Sequence, residues 1–272
     1  MLTVVFCCAI GMVVLLYVNF QFAWWRSTIS YNHPRVLMYH MISHHKRKAK
    51  YNKLRVDPIE FDRQLHWLKE NGWEFVFVSE LENESTRKQV ALTFDDGYRD
   101  NFLIADPIMK KYDAKATLYL VTDRHDRDWS SSKKEHHDDG ELLAEPKLLD
   151  EDVAQMVGSR RWELGGHTVT HANLLRLDDV QCLTEIRRCR SDLEEIFGTP
   201  ATSFAYPFGL FEDRHVELVN QVGFQFAVTT EQGISSDLAA DRLRLKRVKV
   251  SGRDGLASFR LRMRTGKCRF RD

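Results

Sequence analysis

The chain has almost no net charge: 40 Lys and Arg stand against 39 Asp and Glu in 272 residues, a formal +1. That excludes the strongly basic composition of a nucleic-acid binder and names no charged partner for the molecule as a whole. Cysteine is scarce, five residues, and its placement excludes a disulfide framework. Cys7 and Cys8 lie in an apolar run and Cys268 stands alone near the end. Cys182 and Cys189 sit seven apart on a predicted helix, about 10.5 Å of rise and too far to bond each other. Internal repeats are absent, and no shift in composition marks a second globular domain. No charged side chain occurs from Met1 to Trp25, and no histidine follows His215.

An uncharged stretch of that length can cross a bilayer as a helix at about 1.5 Å per residue. Trp24, Trp25 and Arg26 read as its interfacial boundary. No Lys or Arg precedes the run and no small-x-small cleavage site ends it, so an uncleaved transmembrane anchor over 1–25 is expected, with a linker at 26–33. Arg26, Arg35 and Lys46-Arg47-Lys48 lie on its C-terminal side. That bias favours the cytoplasm, although long domains translocate despite such charges. From Asp241 onward, twelve Lys and Arg face three Asp and Glu, a local +9. This predicts either contact with an anionic membrane or polymer, or a solvated basic strand and helix.

Short apolar runs alternate with helical patterns from 34 onward. Val36–Tyr39, Phe75–Val78, Val90–Phe94, Thr117–Val121, Trp162–Leu164, Thr202–Tyr206, Phe224–Thr229 and Leu243–Val250 read as strands. Asp57-Pro58-Ile59-Glu60 opens a helix with an acid cap and Pro in the first turn, and Asn71-Gly72 closes it. Tyr98–Tyr112 predicts a helix broken near Pro107. Asp178–Phe197 predicts a long amphipathic helix with Cys182, Ile186, Cys189, Leu193 and Ile196 on its apolar stripe. Asp123–Pro146 breaks the rhythm with eight acids, four bases and three histidines, and reads as a polar surface insertion. The alternation implies an α/β fold with a mostly parallel sheet. Seven or eight such strands can close into a barrel, with active residues at strand C-termini.

The strand ALTF ends on Asp95 and Asp96. Two adjacent acids repel, and burying them is costly unless a cation compensates. GGHTVTHANL supplies His167 and His171, four apart after a flexible Gly165-Gly166. One carboxylate and two imidazoles make a three-ligand metal site with open positions, which leaves the second carboxylate to act as a base. SFAYPFG, residues 203–209, ends a strand in Pro and Gly; by itself it reads as an ordinary strand-to-loop turn, and beside the acids and histidines as a tip whose Phe208 N–H serves a developing oxyanion.

Thr93-Phe94-Asp95-Asp96-Gly97, His167-Thr168-Val169-Thr170-His171 and Tyr206-Pro207-Phe208-Gly209, in that order, resemble the three leading motifs of polysaccharide deacetylases, the NodB-homology domain of carbohydrate esterase family 4. The resemblance runs from about Pro34 to Gly252. It implies a distorted (β/α) barrel, a divalent metal (zinc most often, with cobalt, manganese or nickel as alternatives) and hydrolysis of acetyl groups from glycans. It assigns the base to Asp95 and the metal ligands to Asp96, His167 and His171. Two departures stand out. Many members carry a late acid histidine in a Leu-x-His motif, which this chain lacks. Many carry an arginine two residues before the third motif's proline, where this chain has Ala205. The variant resembling poly-N-acetylglucosamine deacetylases places the acid histidine on an early strand, and His40 in VLMYH matches it. Arg247 in LKRVKV is the candidate to replace the missing arginine and orient Asp95.

The reading is therefore a membrane-anchored, extracytoplasmic N-deacetylase of an acetylated polysaccharide. The alternatives are an O-acetyl esterase on xylan or a related polymer, a non-catalytic glycan-binding protein, and an anchored interaction protein using the 123–146 insertion and the basic tail.

Overall fold

The computed structural model describes residues 6–8, 10–15, 25–83, 85–125 and 140–267. Eight parallel strands make its main sheet: β1 (Arg35–Tyr39), β4 (Trp73–Phe75), β5 (Lys88–Asp95), β6 (Ala116–Leu120), β7 (Trp162–Gly166), β8 (Ser203–Ala205), β9 (Phe226–Gln232) and β10 (Leu245–Lys249). Their order is β1-β10-β9-β8-β7-β6-β5-β4, and β1 also pairs with β5, from Arg35↔Val90 to Tyr39↔Phe94. Seven strands thus close into a barrel, as the alternation predicts. β4 stands outside the ring, paired only with the first residues of β5. A small parallel pair, β2 (Met41–Ile42) and β3 (Arg55–Val56), lies beyond β1.

Strand periodicity of two sorts the side chains into two layers. Val90, Leu92 and Phe94 of β5 face the helices, with Leu37, Tyr39, Leu118, Leu120, Leu164 and Phe204 from neighbouring strands. The other face points into the barrel, where Val36, Ala91, Tyr119, Ala205, Val228 and Leu245 form a separate apolar cluster. Asp95 shares the inward parity of Ala91 and Thr93, and Arg247 that of Leu245, so two charged side chains from distant strands are aimed into one interior. Gly165 is required there, because a Cβ would lie 2.4 Å from the Tyr119 ring.

The helices are α1 (Pro58–Glu70), α2 (Asp106–Lys111), α3 (Asp150–Gly158), α4 (Asp179–Phe197), α5 (Asp213–Val222), α6 (Leu238–Asp241) and α7 (Leu256–Thr265). Asp57 caps α1 through Ile59 N–H, Asp178 caps α4 through Gln181 N–H, and Gly198 ends α4 at φ 62°.

Several expectations shift. The predicted strand Phe75–Val78 leaves the sheet after Phe75 and forms a 3-10 turn, Val78–Glu80. Val76, Val78 and Leu81 join the barrel's inner cluster instead, and β6 takes over the edge of β5 from Leu92. The Tyr98–Tyr112 helix becomes a π-helix at Asn101–Ala105 followed by α2. Pro107 lacks the N–H that an α-helical ladder needs, and the wider turn absorbs the gap. Cys182, Ile186, Cys189 and Leu193 are buried, but Ile196 is 54% exposed. A seven-residue stripe drifts around a 3.6-residue helix, and half-buried Phe197 packs on the core in its place.

Basic side chains of the tail pair with acids of the chain, among them Arg244–Asp213, Lys246–Glu231, Arg247–Asp95 and Arg262–Asp254. Residues 6–8 and 10–15 are helical and exposed. No described helix is long and apolar enough to cross a membrane, and most of the expected 1–25 anchor lies outside the described residues. So do Cys268 and residues 126–139 of the insertion. Its C-terminal end is well held: Glu141 accepts from Lys50 N–H and Arg55, and Glu145 accepts from Arg55 and Lys46.

Candidate active site

The C-terminal ends of β1, β5, β7 and β8 open on a cavity of about 330 Å³, lined by His40, Asp95, Asp96, His167, His171 and Phe208. Five of the predicted residues come from three strand ends. His40 follows β1, Asp95 closes β5 with Asp96 next to it, and His167 follows β7 with His171 one turn beyond. Asp96 turns sharply out of the strand at φ 79°. Its side chain thereby leaves the inward line of Asp95 and meets the histidines.

Asp96 Oδ1 lies 3.3 Å from His167 Nε2 and 3.5 Å from His171 Nε2, and one donor atom from each residue lies within 4.8 Å of the others. Bonds of about 2.0–2.2 Å at tetrahedral angles set neighbouring donors about 3.3–3.6 Å apart. The three residues therefore fit a zinc-sized cation. The tautomer fits as well. His167 Nδ1 is 2.7 Å from the Ala205 carbonyl, which only accepts, so Nδ1 carries a proton and Nε2 is the nitrogen left to face a cation shared with Asp96. Burial raises the Asp96 carboxyl, but the His167 hydrogen bond and the charges of His171 and His40 hold it far below the usual carboxylate range.

Asp95 stands outside this trio. Arg247, fully buried, grips it with Nη1–Oδ1 at 2.6 Å and Nη2–Oδ2 at 2.7 Å. The guanidinium is itself fixed by the Thr229 carbonyl at 2.7 Å and Thr93 Oγ1 at 3.1 Å. Burial raises the Asp95 carboxyl, and Arg247, with His40 and His167, outweighs it and brings it below the ordinary value. His40 shares the inward parity of Val36 and Met38. Its Nε2 faces Asp95 Oδ2 at 4.0 Å, and its carbonyl accepts from Asn101 Nδ2 at 2.9 Å.

Phe208 sits in the turn Pro207–Gly209 at φ 59°, with its ring 4.4 Å from the His171 ring. All seven residues singled out in the sequence are thus brought to one end of the barrel. His215, the last histidine of the sequence, is elsewhere. Its Nδ1 accepts from Glu212 N–H at 2.8 Å, leaving Nε2–H to donate to the Leu174 carbonyl at 3.1 Å. It caps α5.

Sequence reasoning missed Tyr98, which lines the cavity; burial and the nearby Asp96 and Asp100 push its hydroxyl well above the ordinary range. It also missed Arg55, buried beneath the cavity wall and bound to Glu141 at 2.9 Å and Glu145 at 2.7 Å. An arginine in a two-residue strand gives no signal of a partner some 90 residues away. The acids at the far end of the polar insertion were the one available hint.

The polysaccharide deacetylase family model matches residues 82–227, more than half of the chain. YxkH of Bacillus subtilis is 30% identical over 207 residues, 74% of this chain and 66% of that protein. The poly-beta-1,6-N-acetyl-D-glucosamine N-deacetylase of Staphylococcus epidermidis is 27% identical over 206 residues, 71% of this chain and 66% of that one. The chain therefore spans 66% of the length of each of these relatives. Among solved structures, the polysaccharide deacetylase BC0361 of Bacillus cereus superposes with a TM-score of 0.72 at 27% identity, over 85% of this chain and 69% of that one.

Proposed function

Because the chain belongs to the polysaccharide deacetylase family, we propose that it is a divalent-metal-dependent hydrolase that removes N-acetyl groups from an N-acetylglucosamine-containing polysaccharide. One observation carries the reading: a buried carboxylate held by Arg247, Asp95, shares one cavity with the Asp96, His167 and His171 trio and lies 4.0 Å from His40. A glycan-binding module has no use for a spare base next to a metal triad.

Asp96, His167 and His171 hold the cation, which when bound supplies a Lewis acid and lowers the pKa of a coordinated water. Asp95 takes the proton from the attacking water. Its two oxygens each give one lone pair to Arg247 and keep another for that proton. Arg247 fixes the carboxylate plane and keeps it ionised. The Phe208 N–H donates to the acetyl oxygen as negative charge develops there. Protonated His40 donates to the departing nitrogen, which must leave as a neutral amine. An ester alkoxide needs that donation less, so a histidine at this position favours amide substrates over acetate esters.

The likeness to a named poly-N-acetylglucosamine deacetylase supports a β-linked N-acetylglucosamine polymer as the substrate. Such polymers lie outside the cytoplasm, and we place the domain there, tethered by the uncharged run Met1–Trp25. The test is acetate release by the full chain from N-acetylglucosamine oligomers and from acetylated xylan. Release from the oligomers that a chelator abolishes and zinc restores is the expected result. Release from xylan alone overturns the N-acetyl assignment, and release from neither overturns the enzyme.

A further inference from the structure

The turn between the two metal-site histidines has an unusual backbone. Thr168 is at φ 65° and His171 at φ 55°. A β-branched residue rarely adopts the left-handed region, so the surroundings must over-determine this conformation. The carbonyls of the turn are held from the barrel side, Thr168 O by Thr122 N–H at 3.4 Å and Val169 O by Asp123 N–H at 2.8 Å. Its N–H groups are held from the other side by one residue. Glu185 Oε2 accepts from Val169 N–H at 2.9 Å and from Thr170 N–H at 3.0 Å, and Oε1 accepts from Thr170 Oγ1 at 3.0 Å.

Glu185 lies on α4 between the buried anchors Cys182, Ile186 and Cys189, so its carboxylate projects from a helix packed on the barrel. None of these three hydrogen bonds goes to an imidazole. The three bonds fix Val169 and Thr170, the residues whose backbone sets how far His171 returns toward His167.

We propose that Glu185 is the positioning residue of the metal centre: its carboxylate clamps the His167–His171 turn so that both imidazoles meet Asp96 before any cation arrives. This rests on the metal-dependent reading above. Outer partners of ligating residues typically contribute 10–100-fold in metal affinity. The role is geometric, so glutamine serves nearly as well. The amide oxygen can take both N–H donors and the amide NH2 can donate to Thr170 Oγ1.

The test is zinc affinity of the full chain by competition with a chromophoric chelator, alongside the melting temperature of the metal-free protein. Glu185→Ala is expected to bind zinc 10–100-fold more weakly, and Glu185→Gln to stay within a few-fold of the parent. Thr170→Val, which removes only the hydroxyl arm, falls between and carries the test if Glu185→Ala does not fold. Unchanged affinity in Glu185→Ala, or in Thr170→Val if that variant stands in, overturns the proposal. So does Glu185→Gln binding as weakly as alanine, because charge rather than position would then be at work. A parent chain that binds no zinc defeats the metal reading itself, a separate outcome.

Discussion

Arg247 and Asp95 meet as a two-pronged pair inside the barrel, Nη1 to Oδ1 at 2.6 Å and Nη2 to Oδ2 at 2.7 Å, with the guanidinium fully buried and the carboxylate almost so. They come from strands 152 residues apart, and both point inward because both share their strands' inward parity. Breaking a buried pair from one side leaves an uncompensated charge, a loss of about 3–5 kcal/mol.

Arg247→Lys therefore tests orientation and basicity together. A lysine cannot reproduce the two parallel bonds. Arg247 depresses the Asp95 carboxyl, so weakening the pair raises it toward and above the ordinary range. The base must be ionised to work, and the acid limb of the rate profile should move to higher pH in the variant. The stability linkage has the same sign. A depressed carboxylate stabilises the fold above its unfolded pKa and loses that contribution as pH falls through the folded one. Melting curves of parent and variant should thus converge at acid pH and separate near neutrality. An unmoved acid limb would remove Asp95 from the role of base.

Asp95→Asn isolates the base from the ligands. It should retain the metal and lose about 10²–10⁴-fold in turnover, the range for general-base catalysis. Near-parent acetate release at saturating zinc would place the proton acceptor elsewhere. By contrast, Asp96→Ala, His167→Ala and His171→Ala should each lose bound zinc, read by elemental analysis. Parent-level zinc in all three variants would dissolve the site.

Short apolar runs and motif order made most of this legible in the sequence. The apolar run Val90–Phe94 marked β5, and the adjacent acids at its end demanded a counter-charge. The barrel followed from the strand count. What stayed hidden shares one property: it depends on packing between segments far apart in the chain. Glu185 reads as one more acid on the solvent side of an amphipathic helix. Val76 and Val78 read as strand residues, since nothing local says that a barrel end needs filling. Arg247 was visible only because the third motif lacked its arginine, so the missing charge had to come from elsewhere.

Arg55 anchors the wall of the cavity. It is fully buried and binds Glu141 and Glu145, and Lys46 also pairs with Glu145. Burial lowers the Arg55 pKa, and the two glutamates more than offset it; burial likewise raises Glu145, and Lys46 with Arg55 brings it below the ordinary value. Leu142 and Leu143, between the two glutamates, line the cavity. Arg55→Ala should release that segment, lower stability by about 3–5 kcal/mol and raise KM for oligomers more than it lowers kcat. A fall in kcat at constant KM would show that the wall acts on chemistry rather than on binding.

His40 gives the most selective prediction. Its Nε2 lies 4.0 Å from Asp95 Oδ2 in the cavity that Asp96, His167 and His171 also line, a placement suited to a leaving group. His40→Ala should keep its zinc, since none of the three ligand residues is touched. On N-acetylglucosamine oligomers the loss should reach about 10²–10⁴-fold, because the amine leaves poorly without a proton. On an activated aryl acetate the loss should be far smaller, because a phenolate departs unaided. With His40 as the acid, the parent's rate on oligomers should fall at alkaline pH and that limb should vanish in the variant. Equal losses on both substrates, with the alkaline limb intact, would reduce His40 to a structural residue. His215 would not inherit the role, since both of its ring nitrogens are committed to capping α5 and to the Leu174 carbonyl.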